Sequence, residues 1–352
     1  MSSCIAYFLR PASHFRRPPL WESMAYFLGI DGGGTRTTAW LADEAGRVVA
    51  RGTAGPSNPL KVGFAAAQRE LLRAARAAVA TVNRSMIDRG LFRRRKPTVR
   101  RTLTVATCHN VGLEAVVAGL AGVDRPQVRG PLLAWLRKAI PARHHLLTVD
   151  AALALRAALG DAPGIIVIAG TGSIAYGQDE QGRILRAGGW GIPFDDLGSG
   201  YDLGHKAVAA ALQDYDGRGP HTLLSRGICR ALGLQNITQV VMKPLAQDGI
   251  AALAPLVLEA ARRGDGAARI LCNQAGMDLA DLALSLIRKF GWRKRRFRVF
   301  CTGGVFKSSA IIGAAFKHCV RSAAARAEVQ LLRREPVEGA LELARRLASG
   351  RD

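Results

Sequence analysis

The chain has 352 residues, 49% hydrophobic and 22% charged, with a formal net charge of +23 at pH 7. It is long enough for two domains with a sizeable core, and its composition is ordinary for a globular protein. No apolar run approaches the ~18 residues of a membrane helix, so no membrane partner is expected; the six scattered cysteines, without a CxxC pair, lack zinc or iron–sulfur spacing and fit a reduced cytoplasm.

Residues 1–23 read as a disordered or non-native extension. "CIAYFL" is too short for a signal-peptide core, and Met24 directly precedes the first convincing strand. That strand, "AYFLGI", runs into "DGGGTRTTAW". Three consecutive glycines sacrifice backbone entropy, so something must come close to that backbone. The stretch "GTRTTAWLADEAGRVVARG" (34–52) then aligns without a gap to "GTGSIAYGQDEQGRILRAG" (170–188). Each copy reads strand, glycine turn, strand, polar "DExGR" turn, strand, a hairpin entered through glycine. The chain is therefore an internal duplication, with two similar domains expected to face each other.

Between the copies, 64–82 carries Leu71, Leu72, Ala75, Val79 and Val82 at helical spacing. The segment 84–114, with the arginine run "LFRRRKPTVRR" (91–101), reads as a basic insertion or a solvated loop. Strands are expected at 115–122 and 145–151, the second followed by helical "ALALRAAL", and a buried strand at 165–170. A helix-rich region fills about 203–290, before "RFRVFCTGGVFKSS" gives a last buried strand and a double-glycine turn. The domains are placed at 24–147 and 148–345, with 346–352 as a tail. A second arginine run, "GWRKRRFRV" (291–299), could neutralise nucleic-acid phosphates, but neither run interleaves aromatics as a single-strand platform does. Nucleic acid is therefore not taken as the partner.

Three readings compete for the glycine turns. A Walker loop needs Lys then Ser or Thr leading into a helix, and here Arg36 follows Thr35 on the way into a strand. "GTGSIA" (170–175) fits the looser dinucleotide fingerprint, but a hairpin follows instead of a helix. A simple tight turn accounts for one or two glycines, not for the hydroxyls Thr35, Thr37, Thr38, Thr171 and Ser173 around them. Backbone N–H groups and small hydroxyls converging from two turns suit a polyphosphate. Asp31 aligns with Val167, so only one half keeps a strand-end carboxylate, which suits a single magnesium ion.

These residues resemble the sugar-kinase, actin and Hsp70 superfamily, and more narrowly the N-acetylglucosamine kinase and BadF/BadG/BcrA/BcrD ATPase family. "GIDGGGTRT" resembles its first phosphate motif, "IAGTGS" its second and "CTGGVFKS" its adenosine motif, with "GLAGVDRP" and "TVDAALAL" as intervening segments. The resemblance implies an α/β fold of two duplicated ribonuclease H-like domains, an actin-like ATPase, with a nucleotide cleft between them. It implies ATP and Mg2+ as cofactors. Gly32, Gly33, Gly34, Thr35 and Thr37 would cradle phosphates from one side, and Gly170, Thr171, Gly172 and Ser173 from the other. Gly303 and Gly304 would admit the adenosine, and Asp31 would hold magnesium, directly or through water.

Asp150 is the candidate catalytic base, at the end of a strand and the start of a helix-forming run; a helix N-cap is the competing role. Asn58, Gly189 and Asp196, with Asp150, fall where the family contacts its sugar. The loop "GGWGIPFDDLGSGYDLG" (188–204) departs from the common "GGWGxxxGDEGS", with Asp195 for glycine and Leu197 for glutamate. Its Pro193, Asp196, Gly198, Ser199 and Gly200 look more like a bacterial glucosamine kinase, so free and N-acetylated amino sugar both stay open. The resemblance thus implies a kinase for the 6-hydroxyl of glucosamine or N-acetylglucosamine. The alternatives are a kinase for another hexose, a BadF-type ATPase that activates a 2-hydroxyacyl-CoA or benzoyl-CoA type enzyme, and a non-catalytic sugar- or nucleotide-binding module. A homodimer is the assembly left open. His144 and His145 are read as structural.

Overall fold

The computed structural model describes residues 25–88, 112–192 and 194–350, with side chains of 83–88 left aside. The expectations for 1–23, for 91–101 and for Pro193 fall outside these residues.

The first half opens with β1 (Tyr26–Gly32), β2 (Thr37–Ala42) and β3 (Val48–Ala54), an antiparallel run, then α1 (Pro59–Val62) and α2 (Phe64–Asp88). β4 (Leu113–Leu120), α3 (Pro126–Ala139) and β5 (His144–Thr148) follow, with β4 and β5 parallel to β1. α4 (Asp150–Leu159) leads into the second half: β6 (Gly164–Ala169), β7 (Ser173–Gln178) and β8 (Ile184–Gly188), again antiparallel. A helical stretch follows, α5 (Gly200–Tyr215), α6 (Leu224–Leu232), α7 (Gln247–Ala251), α8 (Ala254–Arg262) and α9 (Gly266–Phe290). Then come β9 (Phe297–Thr302), α10 (Gly304–Ser308), α11 (Ala310–Ala323), β10 (Ala327–Leu331) and α12 (Pro336–Ala348). The sheets run β3-β2-β1-β4-β5 and β10-β9-β6-β7-β8, the same order in each half. The duplication seen in the hairpins therefore extends to both whole sheets.

The repeated residues divide by what they do. In each "DExGR" turn the aspartate binds the arginine four residues on: Asp43 Oδ1 accepts from Arg47 N at 2.9 Å and Asp179 Oδ1 from Arg183 N at 2.8 Å, each with a guanidinium contact at 2.9 Å. These pairs lock hairpin tips far from the cleft. The repeated Gly52 and Gly188 let a helix press on the third strand. A Cβ on Gly52 would sit 2.2 Å from the Ala74 carbonyl of α2, and one on Gly188 would sit 2.7 Å from Leu282 of α9. So α2 and α9 cover matching faces of the two hairpins.

α9 has the length and mean hydropathy (1.3) of a membrane span, but Leu279, Ala283, Leu286 and Ile287 are buried in the core of the second half. Its start is fixed by Asp265, whose carboxylate accepts from Ala268 N (2.8 Å), Leu223 N and Thr222 Oγ1. Burial pushes this carboxyl up, yet those hydrogen bonds outweigh it and hold it below the ordinary range. A lowered pKa means stability that is present at neutral pH and lost as pH falls through the folded value. Asp265→Ala should cost about 2 kcal/mol and flatten that acid loss, as urea melts at pH 7 and at pH values below the ordinary carboxyl value of 3.8 would reveal.

α12 returns to the first half. Val337, Ala340, Leu341 and Ala344 pack with Phe27 and Trp40, and a Cβ on Gly29 of β1 would lie 2.9 Å from Leu341 N. α4 is held between the halves: Leu153 packs with α12, and Ala154, Leu155 and Leu159 pack with Ile166 and Phe300 of the second sheet. Its first residue, Asp150, is thus braced by both halves. The second arginine run makes surface pairs, Arg295 with Glu180 and Arg296 with Glu328 (2.5 Å).

Candidate active site

The first glycine turn joins β1 to β2 and is closed by Gly33 N donating to Arg36 O at 3.0 Å. Ser57 N and Asn58 N both donate to Gly33 O, at 3.0 and 3.2 Å, and Ala121 N donates to Gly32 O at 3.0 Å. The turn is therefore fixed by the Asn58 loop and the end of β4. Thr37 is fully buried, its hydroxyl 2.6 Å from Gly55 O and 2.8 Å from Ser57 Oγ, so it braces the turn from beneath. Thr35 is exposed at the turn's tip. Asn58 caps α1 through Leu60 N (3.0 Å).

The second turn, between β6 and β7, is closed by Gly170 N donating to Gly172 O at 2.9 Å. The N-terminus of α5 seats against it, with Gly200 N on Gly170 O (2.8 Å) and Tyr201 N on Thr171 O (3.1 Å). Asp196 reaches beneath the same turn and accepts from Ser173 N at 2.9 Å, while Ser173 Oγ donates to Leu197 O at 2.8 Å. Asp196 is buried and holds φ 72, the single positive φ outside glycine among the described residues. Strain of that kind persists only where surroundings enforce it. Burial holds its carboxyl above the ordinary range, with the Ser173 amide opposing and the Asp195 charge adding. Gly189 follows β8, where a Cβ would strike Ile174 at 2.4 Å.

Both turns open on one cavity of about 670 Å³, lined by Gly34, Thr35, Gly170, Thr171 and Gly200, by Asp248 and Pro255 of the helical region, and by Gly304 and Val305. A Cβ on Gly170 or Gly304 would meet nothing within 4 Å. Glycine there keeps room for a guest, and the cavity fits a nucleotide whose phosphates lie between the turns. Gly303 packs instead: at φ 101, its Cβ would come 2.1 Å from Ala169 O.

Asp150 is the first residue of α4, whose N-cap is Val149. Its Oδ1 accepts from Ala151 N at 2.9 Å. Burial holds the carboxyl above the ordinary range; the amide opposes, and the Asp124 charge adds. Burial, with the Asp150 charge behind it, pushes Asp31 up to about 7 against the pull of Arg36. A carboxyl whose ionisation is opposed by burial and by a second carboxylate's charge is a place where a cation lowers the energy. No trio of His, Cys, Asp or Glu side chains that could chelate a metal exists among the described residues. A magnesium ion there would draw most ligands from phosphate and water, with Asp31 as the protein's contribution.

Sequence reading missed three neighbours. Tyr176 pairs across the hairpin with Arg186 and feels the charges of Arg186, Asp150 and Asp124. The Arg186 guanidinium lies 4.2 Å from the Trp190 ring centre, and Trp190 is 73% exposed. Only the cross-strand register, absent from a linear motif, could have linked them. His145 Nε2 lies 2.8 Å from Ile140 O, in keeping with its structural reading.

Two halves of identical strand order, facing across a cleft walled by a glycine turn from each, define an actin-like ATPase fold. The chain matches the BadF/BadG/BcrA/BcrD ATPase family over residues 28–344 and belongs to it. The N-acetyl-D-glucosamine kinase of Dictyostelium discoideum is 30% identical over 299 residues, 82% of this chain and 88% of that protein. Glucosamine kinase GspK of Vibrio cholerae is 28% identical over 269 residues, 76% of this chain and 82% of that one. A solved structure from Chromobacterium violaceum, described provisionally as an N-acetylglucosamine kinase, superposes with a TM-score of 0.71 at 28% identity, covering 91% of this chain and 98% of its own.

Proposed function

We propose that the chain is an ATP-dependent amino-sugar kinase that transfers the γ-phosphate to the 6-hydroxyl of N-acetylglucosamine or glucosamine. The observation that carries this reading is Asp150, the first residue of a helix braced by both halves, whose charge reaches Asp31 at the end of β1 beside the first glycine turn. The kinases named among its relatives support it. Phosphoryl transfer asks the protein for positioning, charge neutralisation and a proton acceptor. Gly33, Gly34 and Thr35 would hold the terminal phosphates from one side and Gly170 to Gly172 from the other, with Ser173 bracing the second turn through Asp196 and Leu197 and the N-terminus of α5 adding a favourable dipole. Magnesium, when bound at Asp31, supplies charge neutralisation to the phosphates. Asp150 would accept the proton of the attacking hydroxyl. Asn58 and the Gly189–Asp196 loop would frame the sugar, with Asp196 acting through its hold on the second turn. The reading would set the reaction in the cytoplasm, where ATP is supplied.

The activator reading needs thiols that bridge two copies around an iron–sulfur cluster. Cys272 and Cys301 are buried in the core, and burial pushes the Cys301 thiol up to about 12, the opposite of a ligand thiolate. The kinase reading is tested by coupled ADP release over glucosamine, N-acetylglucosamine, glucose and mannose. Sugar-dependent turnover on an amino sugar is expected; none on any sugar would overturn it.

A further inference from the structure

One ion pair spans the cleft that the reaction does not yet use. Lys61 lies in the last turn of α1, the short helix rooted on the first glycine turn through Ser57, Asn58 and Gly33 O. Its ammonium stands over that turn, 3.2 Å from where a Cβ on Gly34 would lie. From the opposite half, Asp248 on α7 lines the cavity and accepts from Lys61 Nζ at 2.6 Å, across 187 residues of sequence. Asp248 is the one carboxylate among the residues lining this cavity, a position that would repel a polyphosphate unless its partner were there to be exchanged.

Resting on the nucleotide reading of the cleft, we propose that Lys61 is a phosphate-binding residue of this kinase, which Asp248 holds until ATP takes its place. The two side chains are 33% and 59% exposed, a setting in which an ion pair contributes little. A triphosphate seated against Gly34 carries more charge than one carboxylate and offers several oxygens to the same ammonium, so the exchange runs toward the nucleotide. Lysine suits this, as a point charge on a flexible stem that can swing between partners. No bond is made or broken; the ammonium changes its anion, and the strap between the halves is released as the phosphates arrive.

The two partners then have opposite effects, which a purely structural strap would not produce. Calorimetric titration of the full chain with ATP, ADP and adenosine reads them directly. Lys61→Met should weaken ATP and ADP about tenfold and leave adenosine unchanged. Asp248→Asn should tighten ATP about threefold, because the competitor is gone, and also leave adenosine unchanged. Lys61→Arg should recover part of the loss. In turnover, Lys61→Met should raise KM for ATP and lower kcat, while Asp248→Asn lowers KM for ATP. Thermal melts of each variant confirm folding. ATP affinity unaffected by Lys61→Met, or weakened by Asp248→Asn as it is by Lys61→Met, would overturn the proposal. Wild-type protein that binds ATP but phosphorylates no sugar would sink the kinase reading alone and leave this titration readable; failure to bind ATP at all would sink both.

Discussion

Asp150→Asn is expected to lower kcat by about 10²- to 10⁴-fold while leaving ATP affinity near its original value. The substitution keeps the shape of the side chain and an oxygen to accept from Ala151 N, so α4 should start where it does now. What it removes is the ability to take a proton. The pH dependence gives a second, independent reading. Asp150 must be ionised to act, and burial holds its pKa above the ordinary carboxylate value of 3.8. The acid limb of kcat/KM should therefore lie above that value, with activity falling as pH drops through it. Asp124 adds to the upward shift, so Asp124→Asn should move the limb toward lower pH. An Asp150→Asn enzyme with full turnover would remove Asp150 from its assigned role.

The second large effect separates two adjacent glycines that read alike in the sequence. Gly303→Ala places a methyl 2.1 Å from the Ala169 carbonyl oxygen at a φ of 101. Neither β6 nor β9 can move aside without loss of their parallel pairing, so the clash and the backbone strain together should cost about 3 kcal/mol or more. Gly304→Ala meets nothing within 4 Å and should leave stability unchanged, while its methyl enters the nucleotide cavity and weakens ATP binding. Thermal melting and ATP titration of the two variants should thus give opposite patterns. A Gly303→Ala protein that melts with the wild type would show that the β6–β9 junction is not the constraint described here.

The parts of the site legible in the sequence are those where chemistry and neighbours lie within a few residues. The triple glycine, the second "GTGS" turn and the strand-to-helix junction at Asp150 all announce themselves locally, and Gly34, Thr35, Gly170, Thr171 and Gly304 line one cavity. The resemblance assigns Thr37 to the phosphates, yet its hydroxyl turns inward to Gly55 and Ser57. Asp196, chosen for the sugar, hydrogen-bonds the second phosphate turn, a contact set by loop closure over 23 residues. Tyr176, Arg186 and Trp190 were not legible, because their association comes from cross-strand register and stacking.

By itself the sequence determined the duplication, the hairpin turns locked by Asp43–Arg47 and Asp179–Arg183, and the two carboxylates Asp31 and Asp150. Turn residues and apolar periodicity act over short range, so they are written where they are used. Tertiary structure alone decided that α12 returns to cover the first sheet, that α4 is gripped by both halves, and that Lys61 meets Asp248 across the cleft. The two helix placements follow from burying apolar faces against segments brought together by the fold, and no local pattern encodes which distant face a helix will find.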